Sequence, residues 1–548
     1  CVSSDPDPVR REREEKVCPE CQASLSVRNT RTKTVVGSGG DHMVTEVTKH
    51  CPRHPEKVFH PSRNLTPPKS RYGFDVLAET GKLRFLEHKQ IGEIHDRFRE
   101  RGIKIPERTI QNLCQRFLLY VVAVHLESYP KIADLFQQNG GYVLHVDGTT
   151  TKGSPELLLL KDSWSGIRLL AVSIATESEE CVTPHLETIR ENFGNPVAAV
   201  RDMGKGIELA LIEVFPGVYV ITCHYHFLKA VGLRLFDKIY PRFQRRVDRT
   251  GVKKKLRKLR RHFLNHKRTE ERDKALELLE YVLAYKKDGN GIAYPFSLSA
   301  VDFYCRCEKV RPEVRTAILT GARLNKNSPC LSRLEDALNL LKPPPVIRGR
   351  IHSEYLKLET RWQWFERVRK ALRYRNGPVP LNTKGFLSDT ELETGRNMID
   401  ELHTKITEFI KHGNSAGDRT FKRVLCGISK MVTERRDELL APNVVLEVNG
   451  THRIKHLPRT NNTIEQDFRS LRRHSRRIRG DADVERTVQR DGVGLAIVKN
   501  LEVKNYLRHI YGSPNQMHAR FAMVHQNSLQ QAKALFQISE KPEEPHNA

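Results

Sequence analysis

GYVLHVDGTT, residues 141–150, is an apolar run that ends in Asp147 and Gly148. A short buried-type run closed by an acid and a turn glycine reads as a β-strand. ELLLLKDSWSG (156–166) and IRLLAVSIAT (167–176) follow as two more strands joined by turn residues. VTPHLETIRENFG (182–194) reads as a helix. VAAVRDMGKG (197–206) then reads as a strand ending in Asp202 with a glycine-rich turn. GIELALIEVF is a second helix, and VYVITC, ending at Cys223, a fifth strand. The order is therefore three strands, helix, strand, helix, strand. Two of those strands end in an aspartate, and paired carboxylates are hard oxygen ligands for divalent cations.

A third carboxylate lies far downstream in RTNNTIEQDFRSLRRHSRRIRG (459–480). Thr460 or an adjacent asparagine is placed to cap a helix there. Glu465 falls in its second turn, and Arg469, Arg472, Arg473, Arg476 and Arg477 recur at three- and four-residue spacing. The same spacing also fits a Glu–Arg surface pair on an exposed helix. The two upstream aspartates favour a metal ligand beside a phosphate-binding stripe.

This set resembles the DDE transposases, in which Asp, Asp and Glu sit on a ribonuclease-H-like fold; Asp147, Asp202 and Glu465 occupy those places. The resemblance covers roughly residues 140–235 and 455–510. It implies an α/β class: a ribonuclease-H-like mixed sheet core with a large α-helical insertion, plus an N-terminal zinc ribbon and helix-turn-helix. Asp147 and Asp202 would end adjacent strands. Members similar to the Mutator-like class carry a helical insertion before the glutamate and place a cysteine, two residues and a histidine after the fifth strand. Cys223 and His226 match that pattern. The N-terminal arrangement also suits a bacterial-type insertion-sequence transposase.

The resemblance implies two Mg²⁺ (or Mn²⁺) ions per site, ~3.5–4 Å apart, held by Asp147, Asp202 and Glu465. Hydrolysis would free a 3′-OH at an element end, which then attacks target DNA. Partners would be element terminal repeats and target DNA, with a homodimer or higher assembly on DNA. The location would be the cytoplasm or nucleoid of a prokaryotic cell. VITCHYHFLK (220–229) offers a cysteine and two histidines but no second ligand pair for zinc. His226 is instead expected to contact the scissile phosphate or orient a carboxylate. The alternatives are a ribonuclease-H-like nuclease or resolvase, and a catalytically silent DNA-binding regulator.

The bulk properties agree with an anionic partner. The chain has 548 residues, 93 Lys plus Arg against 66 Asp plus Glu, and a formal net charge of +27. The excess is bunched in KKKLRKLRR (253–261) and RSLRRHSRRIR (469–479). No apolar run is long enough to span a bilayer, so no membrane partner is expected, and no secretory signal is read at the start. Eleven cysteines, mostly single, suit a reducing compartment.

Before the core stand CPEC (18–21) and CPRH (51–54). Cys18, Cys21, Cys51 and His54 form two knuckles suited to a structural tetrahedral Zn²⁺, with His42, His50 and His60 as substitutes for the fourth ligand. LTPPKS (65–70) reads as a linker. Three helical patterns follow, the first weakened by Gly81 and the second stopped by Gly102. They resemble a helix-turn-helix whose third helix would present Arg108, Gln111 and Asn112 to the major groove.

The expected division is 1–64 zinc-ribbon-like, 70–130 helix-turn-helix, 140–235 first part of the core and 236–450 helical insertion. Residues 455–512 form the second part of the core, and 513–548 a C-terminal helix and tail. Within the insertion, KKLRKLRRHFLNHKRTEERDKALELLEYVLAYKK reads as strongly helical and KPPPVIRGR as a break. Trp362 and Trp364 read as helical core. ISEKPEEPHNA (538–548) reads as a solvated tail.

Overall fold

The computed structural model describes residues 9–61, 64–149, 156–284, 294–323, 327–341, 345–374, 386–412, 419–448, 450–479 and 484–537. The tail expected over 538–548 lies outside the described residues, as do residues 342–344 of the proline-rich break. The protein is a mixed α/β chain. It divides into two compact units. The first runs up to Ile221 and resumes at Val444; the second is Thr222–Asn443.

The first unit opens with a small sheet of β1 (Val9–Arg11), β2 (Ser26–Gly37), β3 (Gly40–Cys51) and β4 (His54–Phe59). Strands β2 and β3 form a long antiparallel hairpin closed at Gly37 and Gly40. Gly40 takes φ +115°, a conformation that glycine reaches without a Cβ penalty. β4 folds back on β3 with Cys51 opposite His54, and β1 runs parallel to β3.

Helices Phe74–Gly81, Ile91–Glu100 and Glu107–Glu127 follow. LTPPKS is not a free linker: Thr66 and Pro67 are buried, and the Phe74 N–H donates to the Leu65 carbonyl at 3.1 Å. Gly81 ends the first helix and leads into a π-helical turn, Lys82–Leu86. It is there for packing, because a Cβ at Gly81 would lie 2.0 Å from the Phe117 ring. Gly102, at φ +75°, ends the second helix as expected of a C-terminal glycine. The third helix is amphipathic only in its first half. From Tyr120 to His125 every side chain is buried, so it runs on into the core.

The central sheet contains β5 (Val143–Thr149), β6 (Glu156–Asp162), β7 (Arg168–Ile174), β8 (Ala198–Arg201) and β9 (Tyr219–Thr222). Its order is β7-β6-β5-β8-β9. The first three strands form an antiparallel meander, and β5 pairs with β8 in parallel. Helix Glu179–Phe193 links β7 to β8, and helix Lys205–Val214 links β8 to β9. Strands covered on both faces read as continuous apolar runs, which is why ELLLL and RLLAVSI do not alternate. After the second unit come a hairpin, β10 (Val444–Val448) and β11 (Thr451–Lys455), and the helix Asn462–Arg479, here called the glutamate helix.

Among the described residues the second unit is entirely helical. The basic run forms the helix Val252–Leu264, which buries Val252, Leu256 and Phe263 and leaves most of its Lys and Arg side chains exposed. The single long helical segment read from sequence is two helices here. The chain turns after Asn265, and the Thr269 hydroxyl caps Glu270–Leu283 by accepting from the Arg272 N–H. Of the expected break KPPPVIRGR, residues 342–344 lie outside the described residues and 345–350 lie inside the helix Pro345–Ala371. Trp364 is buried and Trp362 stacks on Phe236 at 5.9 Å, so both serve the helical core.

Candidate metal centre and carboxylate site

The two knuckles come together. CPEC forms a turn in which the Gln22 N–H donates to the Cys18 carbonyl and Gln22 takes φ 58°. CPRH is the turn between β3 and β4. The ligand atoms of Cys18, Cys21, Cys51 and His54 all lie within 4.8 Å of one another. Cys21 Sγ is 3.5 Å from Cys51 Sγ, and Cys51 Sγ is 3.8 Å from His54 Nδ1. Bonds of ~2.3 Å to a tetrahedral zinc would set sulfurs about 3.8 Å apart, so the quartet could hold a zinc ion. Backbone N–H groups of Cys21 and Glu20 lower the Cys18 thiol to about 6, favouring the thiolate a metal needs. His54, rather than His42, His50 or His60, belongs to this cluster. Among the described residues the buried cluster there is two of the ligands, Cys18 and Cys51, with Phe59, and Cys21, Ala23 and Leu25 pack against it.

The carboxylate site is built from β5, β8 and the glutamate helix. β5 and β8 are parallel, with Val143 beside Ala198 and His145 beside Val200. Continuing that register sets Asp147 level with Asp202. Asp202 turns its Oδ1 back onto the Gly204 N–H at 2.7 Å, and Arg201, fully buried, pairs with Glu208 at 2.9 Å.

Glu465 arrives in the first turn of the glutamate helix, not the second as expected. The helix begins one residue later than a Thr460 cap would start it, with Asn461 in the cap position. The Thr460 hydroxyl is buried and finds no partner among the described residues. The Asn461 side chain is spent on β5 instead: its Oδ1 meets His145 Nδ1 at 2.7 Å, and its Nδ2 donates to the Val146 carbonyl at 3.0 Å. The helix is thus pinned to the two residues that precede Asp147.

A second anchor is Asp467, two residues past Glu465 and buried. It accepts from Lys161 Nζ on β6 at 2.7 Å and from the Arg168 guanidinium on β7, with Nε at 3.0 Å. Lys161 also donates to the Thr463 carbonyl at 3.1 Å. Farther along, His474 meets His88 (Nδ1 to Nδ1 2.9 Å) and stacks on Phe85. Burial and then the nearby His88 push His474 down to about 3, so it stays neutral.

Asp147 carries the clearest electrostatic signature. It is 5% exposed, and its Oδ2 has no hydrogen-bond partner among the described residues. Burial, then the charges of Asp202, Glu465 and Glu177, hold its carboxyl well above the usual range. A divalent cation is the partner such a group lacks, so the acids fit a hard-metal site. The three acids stand at a wider spacing than the cysteine–histidine quartet, which is the one group of that closeness among the described residues.

Arg469, Arg472, Arg473, Arg476 and Arg477 are exposed along the glutamate helix, and Arg472 donates to the Thr149 hydroxyl beyond Asp147. Arg108, Gln111 and Asn112 are exposed near the start of Glu107–Glu127. Cys223 and His226 fall in the second unit. Cys223 is buried and precedes the helix His224–Phe236, and His226, half-buried in its first turn, lies edge-on to Tyr225.

Sequence reasoning missed Lys161, Arg168, Asp467 and Glu177, and read the asparagine beside Thr460 only as a cap. The signal for Glu177 was present in the glycines of DG and DMG, which mark close approach of another group.

No family model matches the chain, and no curated protein matches it.

Proposed function

We propose that this chain is a DDE-type transposase with a ribonuclease-H-like core, a helix-turn-helix reader and an N-terminal zinc ribbon. The observation that carries the reading is Asp147, buried with an unpartnered oxygen and facing Asp202 and Glu465. The sheet order, with β5 beside β8 in parallel, supports the fold assignment.

Asp147, Asp202 and Glu465 would hold Mg²⁺ or Mn²⁺. Metal bound there supplies charge neutralisation and an activated water for phosphodiester hydrolysis. The rest falls to the chain's own residues. Asn461 and Asp467 fix the helix that presents Glu465. Arg469, Arg472, Arg473, Arg476 and Arg477 offer exposed guanidinium groups to DNA phosphates next to the acids. Arg108, Gln111 and Asn112 are proposed to read base edges of the element ends. His226 is proposed to contact the scissile phosphate or orient a carboxylate. Two ends must be joined, so a homodimer or higher assembly on DNA is part of the proposal, as is action on DNA in a prokaryotic nucleoid. Among the described residues no helix is long and apolar enough to cross a membrane.

The test is cleavage of the DNA ends that flank this reading frame. Asp147→Ala, Asp202→Ala and Glu465→Ala should each abolish cleavage while DNA binding persists. Full cleavage by the Asp147 or Asp202 variant would overturn the site.

A further inference from the structure

We infer that Glu177 is a fourth carboxylate ligand of the cation site formed by Asp147, Asp202 and Glu465, an assignment that rests on the carboxylate reading of that site. Glu177 lies in the short connection between β7 and the helix Glu179–Phe193, far in sequence from the other three acids.

Three glycines lie beside it. A Cβ at Gly148, the residue after Asp147, would sit 2.0 Å from Glu177 Oε1. A Cβ at Gly204, two residues after Asp202, would sit 3.7 Å from Glu177 Oε2. A Cβ at Gly206 would sit 2.0 Å from the Glu177 carbonyl oxygen. The carboxylate is therefore seated beside Gly148 on β5 and near the turn that follows Asp202, and its backbone is seated on that turn.

Among the described residues the Glu177 carboxylate has neither an ion pair nor a hydrogen-bond partner. Acids, Glu156 and Asp202, are its charged neighbours. Seating an acid against Asp147 and Asp202 costs free energy through like-charge repulsion. A shared divalent cation removes that cost, and the buried, unpartnered Asp147 Oδ2 independently points to a ligand in the same space. Gly148 then has a reason: a side chain there would crowd the fourth acid.

The experiment is Mn²⁺ binding to the full-length, zinc-loaded chain without DNA, followed by electron paramagnetic resonance. Glu177→Gln should weaken Mn²⁺ binding by about tenfold or more, the scale on which groups around a metal act, and Asp147→Asn should weaken it at least as much. Wild-type affinity in Glu177→Gln with weakened binding in Asp147→Asn would overturn the inference and leave the carboxylate site standing. Wild-type affinity in both would overturn the site itself. Glutamine keeps the shape and removes a repelling charge, so metal-free Glu177→Gln should melt at or above the wild-type midpoint. A clearly lower midpoint would make Glu177 a structural anchor and would also count against the assignment.

Discussion

Asp467→Asn tests whether the glutamate helix is held where the site needs it. Asp467 is one buried anion shared by two buried cations, Lys161 on β6 and Arg168 on β7. Asparagine keeps the shape and removes only the charge, which leaves both cations without their counter-charge. Breaking a buried pair by removing one partner costs about 3–5 kcal/mol. The cost is not doubled for two cations. Lys161 keeps the Thr463 carbonyl, and Arg168 keeps the Gly166 and Lys499 carbonyls at 3.1 and 3.3 Å. At about 1.5 °C per kcal/mol for a unit of this size, the transition of the first unit should fall by about 4–8 °C. Scanning calorimetry on the full chain measures it. Below the transition, Mn²⁺ binding should also weaken, because Glu465 sits two residues from the lost anchor. A fall of less than about 2 °C, with unchanged Mn²⁺ binding, would refute the anchoring argument.

Two other outcomes follow from the same geometry. Elemental analysis should find one zinc per chain, lost in Cys51→Ser. Because the buried cluster there is two of the ligands with Phe59, zinc removal should open residues 9–61 to protease while the central sheet stays resistant. On the glutamate helix, Arg472→Ala and Arg473→Ala should weaken DNA binding at all sequences alike and each lower the salt slope by about one. An unchanged slope would remove those arginines from the interface.

The central sheet was legible because its strands are short, apolar and separated by turn residues. GYVLHVDGTT, ELLLL and VAAVRDMGKG each yielded a strand near the observed bounds. Asp147 and Asp202 were legible because each ends such a run. The glutamate helix was legible from its arginine spacing and its start to within a residue, but not what the asparagine at its start does. A cap is read from local sequence, whereas Asn461 bonds to β5, more than three hundred residues away. Asp467 and Glu177 were hidden for the same reason: each looks like an ordinary surface acid until the partners at Lys161, Arg168, Gly148 and Gly204 are brought beside it. In the second unit, periodicity found helices but not the Thr269 cap between two of them, because a basic amphipathic pattern runs through the break.

The most direct measurement of the central claim is strand transfer. DNA carrying the inverted repeats that flank this reading frame, with a 3′-OH already exposed at the end, is incubated with the full chain, Mg²⁺ and target DNA. Wild-type protein should join that 3′ end covalently to the target, and Asp147→Asn should bind the same DNA and yield no joined product. Hydrolysis without joining would make the chain a nuclease. Equal joined product from Asp147→Asn would contradict the carboxylate site.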